Sequence, residues 1–234
     1  MKYGLNLYVK RVFITDSCEE LLPQYLRFVK GLVDSNDLPL NVSRELIQKD
    51  RQINLIRKAV VSKLLRQLKV MKDKQYETYL KFWDKFGATL KEGVASDHDN
   101  KDAIIKLLLF KSTASDKFTT LTDYVSRMPA SQKEIYYITG DSYDYISSSP
   151  YLEKLKKKNY EVLFLTDPVD EWVVNSITEF EKKKLVSIAS EKLDLDTEDE
   201  RKEKEKERSE QKETFKGLCE NLQKYLDDQV KEVK

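Results

Sequence analysis

The sequence predicts an α/β protein made of two small α/β/α sandwich subdomains joined by a helical linker. Three observations carry that expectation. Short apolar runs of strand character alternate with helical stretches, the apolar spacing changes rhythm about halfway along, and the second half contains a β-α-β pattern. The expected divisions are residues 1–72 for the first α/β subdomain, 73–114 for the helical linker, and 115–234 for the second. That last subdomain would end in a charged segment and a helix.

The elements follow in order. Residues 5–14 carry Leu5, Leu7 and Val9 at alternate positions, then Val12-Phe13-Ile14, and read as a strand. From Cys18 to Val33 the spacing of Leu21, Leu22, Tyr25, Leu26, Phe28 and Val29 reads as a helix with Pro23 in its first turns. A turn-rich run, Asp34 to Pro39, precedes a long helix carrying Leu46, Ile47, Ile53, Ile56, Val60, Leu64 and Leu68 on one stripe. The same period predicts helices near 75–86 and 99–110.

In the second half, Ile135–Thr139 and Val162–Thr166 are short apolar strands flanking a helix over Tyr143–Lys158. That order favours parallel pairing with a right-handed crossover. Pro168 opens a further helix, and Leu185–Ala189 is a candidate third strand. From Glu198 to Glu213 nearly every residue is charged with mixed sign, which reads as a solvated helix or connector rather than a binding tail. Leu218, Leu222, Tyr225, Leu226 and Val230 then restore an amphipathic helix.

Composition narrows the function classes. Lys plus Arg number 42 against 41 Asp plus Glu, so no net field draws the chain to nucleic acid or membrane. A mean hydropathy of -0.63 describes a heavily charged surface. No apolar run is long enough to cross a bilayer, and Met1-Lys2-Tyr3-Gly4 leads into a strand rather than a signal peptide. Cys18 and Cys219 stand far apart with no second pair, which fits a reducing compartment, hence a cytoplasmic protein. His98 is the only histidine, so a His-rich metal site is excluded and no metal is expected.

The stretch D-S-N-D-L-P-L-N-V-S-R-E, residues 34–45, holds a local conflict. Ser43 or Asn41 would cap the long helix, and Glu45 suits its first turn, yet Arg44 places a cation where the helix dipole disfavours one by roughly 0.3–1 kcal/mol. A helix N-terminus offers free N–H groups to an anion, and Arg44 adds a planar, permanently charged donor. Gln48, four residues on, shares that face. Two readings stand on spacing alone: a phosphate receptor, or an arginine that pairs with Asp34 or Asp37 and closes the turn. Neither GxxxxGK[ST] nor GxGxxG occurs, and the chain has only 6 glycines, so a nucleotide meeting Arg44 must be held by another domain.

The run DSNDLPLNVSRE resembles the middle domain of the ninety-kilodalton heat-shock chaperone family. LYVKRVFITD at 7–16, LPQYLRFVKGLVDS at 22–35, FWDKFG at 82–87 and LTDYVSRM at 121–128 extend the resemblance in order. So do IYYITGDS at 135–142, SSP at 148–150 and EVLFLTDPVDEW at 161–172. FWDKFG and DEW look most similar to bacterial members such as high-temperature protein G.

The resemblance implies an ATP-dependent chaperone, in which an N-terminal domain binds ATP with Mg, this segment completes the catalytic centre, and a C-terminal domain dimerises the protein. Arg44 would then reach the γ-phosphate as an arginine finger, with Gln48 and Asn41 beside it. It also implies that Glu171, Trp172 and Asn175 contribute to the binding of unfolded clients. Their residues alone leave Trp172 equally well explained as packing along a helix edge. The partners implied are clients, co-chaperones, the flanking domains and a second subunit, with no ATP held tightly by this segment alone. The family's first strands precede LYVKRVFI, so Leu7, Val9 and Phe13 are expected to be exposed or paired with another chain.

Two other readings compete. One is a free-standing α/β enzyme with its site near Gly140-Asp141-Ser142 and Thr166-Asp167. The other is a structural adaptor using the charged and amphipathic terminal segments.

Overall fold

The protein is described from a computed structural model, in which residues 3–39 and 51–189 are described, all inside one compact unit spanning Met1–Ser190. Two sheets are present among these residues, one of three strands and one of six.

The first sheet opens with β1 (Leu5–Val9) and β2 (Val12–Cys18), an antiparallel hairpin turning at Lys10 and Arg11. Both turn residues have positive φ, 51° and 67°, as a two-residue hairpin of the primed type requires. Neither is the glycine or asparagine that this geometry favours. Their amides are held by β3 (Leu32–Ser35): Arg11 N donates to Asp34 Oδ1 at 3.1 Å and Lys10 N to the Ser35 carbonyl at 3.0 Å. β3 runs parallel to β1. The expected exposure of Leu7 and Val9 is not found, since both are fully buried in the core, whereas Phe13 on the edge strand is 53% exposed.

No α-helix forms over Cys18–Val33. Two 3-10 turns stand there instead, Glu19–Leu21 and Gln24–Leu26. Pro23 lacks an amide and holds Leu22 extended, which breaks the helical ladder where the apolar spacing invited one.

α1 (Arg51–Lys74) buries Ile53 and Leu68 of the expected stripe, together with Val61 and Leu65 outside it, while Ile56, Val60 and Leu64 are only partly buried and Leu46 and Ile47 lie outside the described residues. α2 (Tyr76–Ser96) extends ten residues past the expected end at 86 and buries Tyr79, Trp83, Leu90 and Val94. It receives the 3-10 turns closely. A Cβ on Gly93 would lie 2.8 Å from the Tyr25 ring, so only glycine lets the two approach. Tyr25 donates from its hydroxyl to Asp97 at 2.8 Å, Arg27 grips Glu92 with two bonds of 2.5 and 2.7 Å, and Phe28 stacks on Phe86.

The helix expected over 99–110 is cut to α3 (Lys101–Ile105), because Leu107 through Phe110 are buried on every side and enter β4 (Phe110–Ser112). β5 (Ser115–Thr119) pairs with β4 as a polar edge strand whose apolar signal is too weak to read. After α4 (Leu121–Arg127) come β6 (Ile135–Thr139) and β7 (Val162–Leu165), parallel as expected. All four β7 residues are buried, as in a strand covered on both faces. The helix between them is two, α5 (Tyr143–Ser147) and α6 (Tyr151–Lys157), separated where Pro150 cannot continue a helix. α7 (Asp170–Ser176) leads through β8 (Glu179–Phe180) to β9 (Lys183–Ser187), which pairs parallel to β6. No helix among the described residues is long and apolar enough to cross a membrane.

Candidate functional site

The expected phosphate-binding residues Asn41, Arg44 and Gln48 lie outside the described residues, as do the charged run and the terminal helix. What is described is the approach to them. β1 and β3 run parallel and end together at Val9 and Ser35, so the chain leaves for residues 40–50 from the carboxyl edge of that sheet. The Asp34 carboxylate is engaged by the Arg11 amide, Ser35 Oγ accepts from the Asp37 amide at 3.3 Å, and Leu38 is buried.

The second expected site is described fully. α7 turns Val173, with Ile177 just beyond its last turn, into the core and leaves Glu171, Trp172 and Asn175 exposed together; Trp172 is 62% exposed. Packing along the helix edge does not account for that much bare indole.

Both ends of α7 are held by lysines from neighbouring helices. At its start, Lys91 of α2 places Nζ 2.6 Å from Asp170 Oδ1 and 2.8 Å from Asp167 Oδ2. The 2.6 Å contact is a close ion pair between two buried side chains. Asp170 Oδ2 accepts from the Asp167 amide at 3.0 Å, closing the turn. At the other end Lys101 Nζ donates to the Ser176 carbonyl at 2.6 Å, where a cation suits the helix dipole. Lys91 is buried and lies over the rings of Trp83 and Phe110 at 5.8 and 5.5 Å. Burial pushes the Asp170 carboxyl up, against the downward pull of Lys91.

Sequence reasoning missed Lys91, Lys101 and Asp170. A signal for the first was present, because Lys91 falls one residue after Leu90 on the buried side of α2. A lysine there needs a carboxylate.

The alternative enzyme site gains no catalytic set. Ser142 caps α5, accepting from the Tyr145 amide, Asp141 is exposed, and Asp167 is tied to Lys91. His98 lies in a different groove, with Asn54 and Lys58. No group of His, Cys, Asp and Glu able to hold a metal occurs among the described residues. Glycines there serve packing: Gly87 lies against Trp83, Gly93 against Tyr25 and Gly140 against Ile146. They form no phosphate cradle.

A mixed α/β body with two sheets and long helices packed between them is the architecture of the chaperone middle-domain class. The family model described as Hsp90 protein matches residues 1–234, and the chain belongs to the Hsp90 family of heat-shock chaperones. It is 58% identical over 233 residues to the chaperone protein HtpG of Bdellovibrio bacteriovorus, covering 100% of this chain and 37% of that protein. It is 51% identical over 235 residues to HtpG of Nocardia farcinica, covering 100% of this chain and 36% of that one. The chain thus spans little more than a third of the curated relatives it matches. Among solved structures it is similar to the middle domain of a Plasmodium falciparum protein named as a heat shock protein, with a TM-score of 0.71 and 36% identity. That match covers 80% of this chain and 74% of the other.

Proposed function

We propose that the chain works as the middle segment of an ATP-dependent molecular chaperone, lending a catalytic arginine to a separate ATP-binding domain and part of a client-binding surface. The observation that carries the client role is the exposed Trp172 flanked by Glu171 and Asn175 on a helix anchored at both ends. An indole is a large, rigid anchor with little conformational entropy to lose, which suits weak capture of unfolded chains. For hydrolysis, Arg44 supplies a fixed positive charge to the transferring phosphoryl group, with Gln48 and Asn41 as neighbouring donors. ATP and Mg sit in the N-terminal domain, and the glycine-poor body described above agrees with holding the nucleotide elsewhere. In the longer cytoplasmic protein a C-terminal domain dimerises the chain, and co-chaperones are further partners.

Two substitutions in the longer chaperone test the two roles separately. Arg44→Ala lowers ATP turnover on the order of a hundredfold while nucleotide affinity stays within twofold. Unchanged turnover removes Arg44 from the mechanism. Trp172→Arg weakens client binding and spares basal turnover, and undiminished client binding returns Trp172 to a packing role.

A further inference from the structure

Beside the Lys91–Asp170 pair lies a pocket of about 210 Å³, where the end of β7 meets α2 and the β4–β5 hairpin. Its walls are largely aromatic. Trp83, Phe110 and Phe164 are buried, while Phe118 and Tyr143 stand at the mouth, each 36% exposed. Tyr143 packs edge-on against Phe164, with ring centroids 5.2 Å apart. On α2, Asp84, Ala88 and Lys91 follow at helical spacing along one face, and the alanine between the two charged residues is too short to fill the space.

The fold's own lysines show what these walls select. The Lys91 ammonium rests on Trp83 and Phe110 between two carboxylates, and the Lys111 ammonium lies 4.8 Å from the centre of the Tyr143 ring. Both are cations on aromatic faces, where the ring quadrupole attracts positive charge. The lining carries three carboxylates, Asp84, Asp167 and Asp170, against these two lysines, which leaves one negative charge in excess. That excess is on the open side. Asp84 is exposed and makes no ion pair among the described residues. Asp167 bonds Lys91 through Oδ2 and keeps 44% of its side chain exposed. Lys111 is also exposed and has no carboxylate partner among the described residues, so only the Tyr143 face holds its ammonium over the pocket.

We infer that this pocket binds a small organic cation of the arylalkylammonium class. The incoming ammonium replaces that of Lys111 over Tyr143, with Asp84 and Asp167 as its counter-charges, and the ring of the ligand lies against Phe118. The volume falls below the roughly 300–1,000 Å³ of pockets for drug-sized ligands, so it admits a single ring with a short amine arm rather than a chain segment. The site is independent of the client-surface role of Trp172.

The test uses the 234-residue chain carrying Trp172→Phe, which leaves Trp83 in the pocket wall as the one tryptophan. Its emission is followed at low salt during titration with phenethylammonium, with 3-phenylpropanoate as the anionic analogue of similar size. The cation gives a saturable change with an affinity roughly tenfold above that of the anion. Asp84→Asn lowers the affinity for the cation roughly threefold, and Lys111→Met, which removes the competing ammonium, raises it roughly threefold. Ala88→Leu fills the pocket and abolishes saturation. All three positions are exposed, and circular dichroism verifies that each variant is folded. An anion that binds within twofold of the cation overturns the inference. So does saturation that survives Ala88→Leu, or an affinity that both charge variants leave within twofold of the parent.

Discussion

Lys91 Nζ lies 2.6 Å from the carboxylate of Asp170, and both side chains are almost fully withdrawn from solvent, at 5% and 2% exposure. The pair joins α2 to the first residue of α7, two positions before Trp172. A buried pair of this kind adds little net stability when intact, but removal of one partner strands the other charge in a poor dielectric.

Lys91→Met should therefore destabilise the fold by about 3–5 kcal/mol at neutral pH. The sign of the pH dependence follows from Asp170. Burial already holds its carboxyl above the ordinary value, and loss of Lys91 raises it further. An acid whose folded pKa is raised contributes stability below its unfolded value and loses it as pH rises through the folded value. Urea midpoints of variant and parent should converge as pH falls from neutrality toward about 4. A constant gap would show that Asp170 is not the group left exposed to the loss. Adding Asp170→Asn should recover part of the stability at neutral pH.

Gly93→Ala sets two effects against each other. Alanine gains up to about 1 kcal/mol in helix propensity. The new Cβ would lie 2.8 Å from the Tyr25 ring and 2.9 Å from Ile104 Cδ1, and overpacking costs about 1–3 kcal/mol. Tyr25 is held by its hydroxyl on Asp97, so its ring cannot swing aside cheaply. A net loss of about 1 kcal/mol is expected in chemical denaturation, and a stabilised variant would contradict the packing described.

Cys18 should be chemically silent in the folded chain. Burial, with the charge and hydrogen bonding of Glu20, pushes its thiol up to about 12, so thiolate is scarce at pH 8. In a Cys219→Ser background, a thiol reagent such as DTNB should label Cys18 only as the protein unfolds in urea. Rapid labelling under native conditions would mean that the packing around β2 opens readily.

The 234-residue chain with Mg-ATP should show no turnover above buffer and no nucleotide-dependent rise in thermal midpoint. Turnover would instead support the free-standing enzyme reading at the carboxyl edge of β6 and β7.

Much of the architecture was legible because periodicity and burial coincide in it. The burial of Ile53 and Leu68 on α1 and the apolar runs that became β6 and β7 follow from residue spacing, whereas spacing alone left Trp172 between an outward and a packed position. The failures share one cause, tertiary burial overriding local rhythm. Leu21 through Leu26 have helical spacing, yet Pro23 and the close contact with α2 convert them to 3-10 turns. Leu107 to Phe110 look helical until burial on all sides makes them the entry to a strand. Ser115–Thr119 carries almost no apolar signal because it is an edge. At the site, the place of Lys91 on the buried side of α2 signals a carboxylate partner, but nothing in local spacing points to Asp170 as that partner. The conflict expected at Arg44 rests on sequence spacing, and that residue lies outside those described.

The placement of two adjacent residues on α2 has a mechanical consequence. Glu92 is clasped by Arg27 beside the small sheet, while Lys91, about a quarter-turn away, is clasped by Asp170 beside the large one. One turn of helix thus acts as a rivet through both halves of the body. A pull on either half loads the same few atoms, so twisting cannot dissipate in a loose joint and is passed on to the far side.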